Sequence, residues 1–447
     1  MDKIQGMYRK SIQYLQKWEK SKFRSPLLLR GARQVGKTWL VRTFGEQFPN
    51  FIEINLEENP EYIELFKRNK GNPQQILNTL QIMKEHKSVE GATLLFIDEI
   101  QESPDALLSL RYFKEKMPDI HVIAAGSLIE FALKKISFPV GRIDFYHIFP
   151  LDFEEFLLAS KQSQLVKLLN QNPMKDIDPL LHEQLMKEFK TYTALGGLPE
   201  VIHAYITTKD LEQTQAIQQK LIISYRQDFN KYSSETEIKY VRSVFDSIPI
   251  QLGQKFIFTR VAPETKSREL HLGLNLLIDA GLAYKCYHSS GNEIPLSAEI
   301  KENKFKVFFF DTGLVQRLMG RPLKTLILEA QNESEFANQG SICESIVAQQ
   351  LLSLTPSNET PELYYWLREA KSSSAEVDFL LAKEDKILPI EVKKGSRQSF
   401  KSLKIYMEEK NNPMGFVVSS DPFEIKKDHL VKVPFYLLHR IKDLLHF

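Results

Sequence analysis

The feature that most constrains this chain is the stretch Gly31, Ala32, Arg33, Gln34, Val35, Gly36, Lys37, Thr38, read together with LLFIDE at Leu94 to Glu99. The first stretch fits G-x-x-x-x-G-K-[ST]. Its two glycines leave room for backbone N–H groups to wrap a polyphosphate, Lys37 can reach the β- and γ-phosphates, and the Thr38 hydroxyl can hold Mg²⁺. Context supports the pattern. The loop follows the apolar run Pro26 to Leu29, which reads as a short buried strand, and opens a helical stretch from Lys37 to Phe44 whose N-terminus favours an anion. The second stretch is an apolar run ending in Asp98-Glu99, which puts two carboxylates at the carboxyl edge of another buried strand. Asp98 is then the expected support for Mg²⁺, and Glu99 the expected activator of the attacking water. A chance glycine-rich turn explains one half of this pattern but not both. The reading is ATP bound with Mg²⁺.

The fold class follows from the alternation of strand and helix patterns through about residue 126, an α/β arrangement with a parallel sheet wrapped by helices. Residues 1–22 read as an amphipathic helix, Phe51 to Asn59 as a strand running into a polar turn, Ile76 to Met83 and Pro104 to Glu115 as helices, and Ile120 to Ser127 as a strand. Ser127 ends that strand where the phosphates would lie. It suits a γ-phosphate sensor and equally an N-cap for a helix over Leu128 to Lys134. Arg142 is a candidate cation for the triphosphate, in cis or toward a neighbouring subunit, a role that can be worth ~10³–10⁵ in rate. The alternative is an ordinary surface arginine.

The pattern from Phe156 to Tyr232 is mostly helical, broken by LGGLPE at Leu195 to Glu200. Helical stretches at Val241 to Leu252 and Ser267 to Ala280 precede strands at Leu282 to His288 and Lys306 to Asp311, the order of a winged helix-turn-helix. Lys266 and Arg268 would open its recognition helix toward DNA. Glu264, Glu269 and Asp279 dilute that charge, and a packing module is the other reading. After a polar linker, Asn332 to Gln339, a last domain opens with a helix over Ile342 to Leu354.

That domain holds a second constellation. Asp378 lies in one strand of a hairpin and Glu391 and Lys393 in the next, projecting from one face because strand side chains alternate. Glu344 on the preceding helix can join them. Asp378 and Glu391 suit oxygen ligation of Mg²⁺ or Mn²⁺, and Lys393 suits orientation of a water beside a phosphodiester. The alternative is a solvated charged face, although Phe379, Leu380, Ile390 and Val392 make the strands look buried.

Composition narrows the classes. The 447 residues are 43% hydrophobic and 26% charged, enough for several cores, and the net charge of +2 argues against a chain that coats nucleic acid. The two cysteines, Cys286 and Cys343, make neither a disulfide framework nor a zinc site. The start MDKIQGMYRK lacks a signal-peptide core and no run approaches eighteen apolar residues, so a cytoplasmic protein without a membrane partner is expected.

RGARQVGKT, FIDEIQ, GSLIEF, GR followed by FPLDFEEF, LGGLPE, DTGL (Asp311 to Leu314) and YYWLREAKSSSAEVDFLL with IEVKKG together resemble one family. It is the bacterial and archaeal AAA-type ATPases with a C-terminal domain of unknown function. The resemblance covers nearly the whole chain. It implies an AAA+ P-loop ATPase core (1–150), a helical lid region (151–234), a winged helix (235–325) and a terminal domain like the PD-(D/E)xK restriction nucleases (335–447). It also places Asp98 and Glu99 at the Walker B pair, Ser127 at sensor 1 and Arg142 at the family's GR position. Glu344, Asp378, Glu391 and Lys393 fall at the nuclease-like positions. Trp39 stands where a small hydroxyl residue is common, and Val377 where proline often precedes the acidic residue; neither removes a chemical group. The expected activity is ATP hydrolysis controlling a nucleic-acid-directed, metal-dependent module. The alternative is a nucleotide-dependent switch or scaffold with a silent terminal domain. DNA, a protein partner and further copies of the chain are the partners these readings call for.

Overall fold

The computed structural model describes residues 7–85, 91–127, 129–133, 141–171, 177–330, 340–356, 359–369, 375–393 and 399–446. The expected linker Asn332 to Gln339, both ends of the expected helix Leu128 to Lys134, and the polar turn after Lys393 lie outside these residues.

Strands β1 (Leu27–Arg30), β2 (Asn50–Asn55), β3 (Thr93–Asp98), β4 (His121–Ala125) and β5 (Asp144–His147) form a wholly parallel sheet in the order β2-β3-β4-β1-β5. Every residue of β3 is buried, as the uninterrupted apolar run requires of a strand covered on both faces. Alternate side chains feed two cores. Leu28, Leu95, Ile97 and Ala124 pack with Phe66, Leu107 and Phe113, whereas Leu27, Leu29, Phe96 and Ile123 pack with Leu40, Val41 and Phe44. The helices Lys37–Gly45 and Pro104–Lys116 sit where expected. Two elements do not follow from the sequence pattern. The helix Pro60–Arg68 buries only Tyr62 and Phe66 and is otherwise charged or part-exposed. The edge strand β5, DFYH, is only half-buried and lacks an apolar run.

The helices Phe153–Ala159, Ser163–Leu169, Pro179–Leu195, Pro199–Thr208 and Leu211–Tyr232 form the helical region. The helices Glu235–Ser247 and Ser267–Asp279 then lead into an antiparallel pair, β6 (Ala283–Ser289) and β7 (Ile300–Phe309). This pair does not stand apart as a ribbon. β6 also pairs in parallel with β8 (Leu363–Leu367), Cys286 opposite Leu363. With β9 (Glu376–Lys383), β10 (Lys386–Val392), β11 (Gly415–Ser419), β12 (Glu424–Ile425) and β13 (Leu430–Pro434) it makes one eight-stranded mixed sheet, ordered β12-β13-β11-β10-β9-β8-β6-β7. The helices Gly340–Ser353 and Lys401–Glu409 pack against it. Among the described residues no helix is long and apolar enough to cross a membrane.

LGGLPE and DTGL meet at one buried junction. The Asp311 carboxylate accepts from Gly197 N at 2.7 Å and from Leu314 N at 3.0 Å. Gly196 has φ +80°, and a Cβ there would lie 2.2 Å from Asp311 Oδ1, so only glycine fits. Gly197 O accepts from Leu151 N, Tyr192 donates to Leu151 O, and Gln349 bonds both Tyr192 and the N–H of Thr312. The exit from the five-stranded sheet is thereby tied to the helical region, to the residues after β7 and to the helix Gly340–Ser353.

Candidate active site

β1 lies inside the sheet, between β4 and β5, so the loop Gly31–Gly36 leaves at the carboxyl edge beside the ends of β3 and β4. Gly31 has φ +132°, and a Cβ there would meet the Ile148 carbonyl oxygen at 2.2 Å. Gly36, at φ +95°, turns the chain into the helix Lys37–Gly45. Lys37 folds back over the loop and donates to Gly31 O and Ala32 O, each at 2.8 Å. Burial pulls its pKa down to about 8, although Glu99 and Asp98 act in the opposite direction.

Thr38 donates to Asp98 Oδ2 at 2.8 Å, and Asp98 Oδ1 accepts from Glu99 N at 3.0 Å. Burial pushes the Asp98 carboxyl up to about 6; the Thr38 hydrogen bond lowers it and the Glu99 charge raises it. Glu99 sits at φ +50° just past β3, and its Oε2 accepts from Gln101 Nε2 at 2.6 Å. Gln101 is a neighbour the sequence pattern did not single out. Ser127 follows β4 and lines a cavity of about 220 Å³ with Gly31, Gly126, Glu130, His147 and the turn Asp279 to Gly281. Lys37, Thr38, Asp98, Glu99 and Ser127 thus share the carboxyl edge of one sheet.

Other parts of the chain hold the loop, and sequence reading did not identify them. Arg9 donates to Val35 O at 2.8 Å and to Phe149 O at 2.7 Å, and pairs with buried Glu155. Arg33 is gripped twice by the helix Leu211–Tyr232: its guanidinium pairs with Asp228 at 2.5 Å and its carbonyl accepts from the Tyr225 hydroxyl at 2.8 Å. Gly281 lies against the backbone of Ala32, where a Cβ would come within 3.1 Å of Ala32 N. The one sequence signal for any of this is an arginine among the four variable positions of the loop.

Arg142 does not join this group. β5 pairs with β1 with Asp144 opposite Leu27, so Arg142 lies at the amino edge of the sheet while the phosphate loop leaves the carboxyl edge. The intervening residues, at about 3.3 Å each, separate them by about 20 Å. Arg142 ion-pairs with Glu115 at the end of the helix Pro104–Lys116. The expectation that it serves the triphosphate in cis is corrected by strand order; the residue is 46% exposed and faces outward.

The C-terminal constellation does assemble. Asp378 Oδ2 accepts from Val392 N at 2.7 Å, which locks β9 to β10 at this point. Lys393 pairs with Glu391 at 2.6 Å. The unexpected member is Lys306 on β7, 2% exposed. Its ammonium lies 2.6 Å from Glu376, 3.1 Å from Glu344 and 3.9 Å from Asp378. Burial disfavours this charge, but Glu344, Asp378 and Glu376 more than offset that and hold it above the ordinary lysine range. Burial and then the Asp378 charge push the Glu344 and Glu391 carboxyls upward. Among the described residues no group of three or more His, Cys, Asp or Glu side chains is arranged to hold a metal ion. The two carboxylates expected to hold Mg²⁺ or Mn²⁺ each face an ammonium here, Asp378 that of Lys306 at 3.9 Å and Glu391 that of Lys393 at 2.6 Å.

A glycine-rich loop with its lysine, hydroxyl and acidic pair on the carboxyl edge of a parallel sheet defines a P-loop nucleoside-triphosphatase site. Residues 23–157 match the family model of an AAA domain, so the N-terminal unit is an AAA-type P-loop ATPase domain. Residues 186–325 match a domain of unknown function (DUF8612), and residues 339–437 another (DUF4143). No curated protein matches the chain. Similar solved structures include the Walker-type ATPase PABY2304 of Pyrococcus abyssi, 18% identical over 70% of this chain and 96% of that one, with a TM-score of 0.46. The Aeropyrum pernix ORC1 protein in complex with DNA is 10% identical over 76% of this chain and 96% of that one, with a TM-score of 0.32. PCH-2 of C. elegans is 13% identical over 44% and 58%, with a TM-score of 0.25.

Proposed function

We propose that this AAA-type ATPase binds ATP with Mg²⁺, hydrolyses it, and relays its nucleotide state from the phosphate loop to the C-terminal half. The observation that carries the relay is the double hold on Arg33: Asp228 takes its side chain and Tyr225 its carbonyl. A triphosphate entering Gly31 to Thr38 must reorganise this loop, and whatever moves Arg33 pulls on the helix Leu211–Tyr232. Lys37 exchanges its two carbonyl partners for phosphate oxygens. Thr38 and Asp98 present a hydroxyl and a carboxylate 2.8 Å apart, a hard-oxygen pair that suits Mg²⁺. Mg²⁺ bound there offsets phosphate charge. Glu99 turns from Gln101 to orient the attacking water, and Ser127 faces the γ-phosphate. Arg142, outward-facing at the far edge, could reach a triphosphate only on another copy.

In this reading the C-terminal half is a nuclease-like module directed at nucleic acid, with exposed Lys266 and Arg268 at the start of the helix Ser267–Asp279 meeting DNA. A second reading is a switch whose terminal domain is catalytically silent and binds a protein partner. The Lys306 ammonium among Glu344, Glu376 and Asp378 favours it. ATP turnover by the wild type, Lys37→Ala and Glu99→Gln tests the ATPase assignment. Lys37→Ala should lose nucleotide binding; Glu99→Gln should bind ATP and turn it over at least ~10²-fold more slowly. Wild-type turnover by Glu99→Gln would remove Glu99 from the chemistry.

A further inference from the structure

The C-terminal carboxylate centre is closed by a residue from outside its own hairpin. Glu344 comes from the helix Gly340–Ser353, Glu376 and Asp378 from β9, and Glu391 from β10, whereas Lys306 reaches the first three from β7, which precedes them all in the chain. Its position follows from sheet order, since β7 pairs with β6, β6 with β8, and β8 with β9. The surroundings fit a permanent cation. The ammonium lies 5.3 Å from the centre of the Tyr365 ring, and the Glu344 carboxylate rests against Gly253, where a Cβ would come within 3.1 Å of Oε2. The centre still has unused acceptor capacity. Glu391 is 6% exposed, and its Oε2 has no hydrogen-bond partner among the described residues.

We infer that Lys306 is a built-in cation that takes the place of a divalent metal between Glu344 and Asp378, so that the C-terminal centre is closed to Mg²⁺ and Mn²⁺ while β7 is in position. The physical case is charge balance. Part-buried carboxylates this close together favour a positive charge between them, and a lysine fixed on a strand supplies it without losing translational freedom. A free divalent ion would have to displace that ammonium before reaching the oxygens. Removing Lys306 should therefore leave a set of oxygen ligands that recruits a hard cation.

The test is Mn²⁺ binding to the full chain, read from loss of the free-ion EPR signal, with Asp378→Asn subtracted to remove binding elsewhere. The wild type should show no Asp378-dependent Mn²⁺. Lys306→Met should gain one such ion per chain. Because Lys306→Met leaves the acidic centre unbalanced, the double variant Lys306→Met, Glu376→Gln keeps net charge and retains Glu344, Asp378 and Glu391; it should gain the same ion. Asp378-dependent Mn²⁺ on the wild type would overturn the inference, as would a folded double variant that gains none. Neither result bears on ATP binding at Lys37, so this claim and the ATPase relay fail separately.

Discussion

The state of Lys37 predicts a pH-dependent affinity for ATP. Its ammonium is buried, bonded to two neutral carbonyls, and titrates near pH 8 instead of at its ordinary 10.5. Phosphate beside it supplies the missing counter-charge, so the bound form keeps the proton to higher pH. The sign follows. Above about pH 8 the complex holds one more proton than the free protein, and affinity falls as pH rises. Lys37 is about nine-tenths charged at pH 7 and about one-tenth charged at pH 9, so the dissociation constant should weaken roughly tenfold, or ~1.4 kcal/mol. The phosphate's own titration, with a pKa of about 6, is complete below this window and does not mimic the effect. Binding of a fluorescent ATP analogue between pH 7 and 9.5 reads the effect directly. Lys37→Arg is the control, since a guanidinium does not titrate there and its profile should be flat. A flat wild-type profile would refute the argument that burial of Lys37 sets its charge in the free protein.

Three further outcomes follow from the same geometry. Gly196→Ala should destabilise the fold by roughly 2–6 kcal/mol, combining ~1–3 for backbone strain with ~1–3 for the displaced Gly197 N–H to Asp311 bond; urea unfolding measures it. Arg142→Ala should leave turnover of the isolated chain within about twofold, since Arg142 is at the far edge of the sheet; a ~10³-fold loss in a dilute, unassembled sample would contradict that placement. Asp228→Ala should keep ATP binding within about tenfold, because its partner Arg33 is part-exposed, and complete loss of binding in a titration would show that the pair builds the site instead of linking it.

How legible each part was depended on whether its signal is local. The phosphate loop, β3 and the hairpin of β9 and β10 carry their evidence within a few residues: glycines at fixed spacing, unbroken apolar runs, alternation. β5 was missed because a half-buried edge strand needs no apolar run, and that omission also hid the position of Arg142. Lys306 was visible only as an anomaly, a lysine between Phe305 and Val307 on the same strand face as Phe308. Its partners come from strand order, which local pattern does not encode. The same holds for Asp228 and Tyr225, ordinary members of a long helix until the fold lays them on Arg33. LGGLPE and DTGL were recognisable as motifs, but their physical reason, the Asp311 carboxylate capping Gly197 and Leu314, needed the two ends of the region in one place.

The relay is tested most directly by hydrogen exchange of Glu99→Gln with and without ATP. ATP should change exchange in the loop Gly31–Gly36 and also in the helix Leu211–Tyr232 around Tyr225 and Asp228, and at the turn around Gly281. Changes confined to the loop and the helix Lys37–Gly45 would mean that the site binds nucleotide without passing its state on.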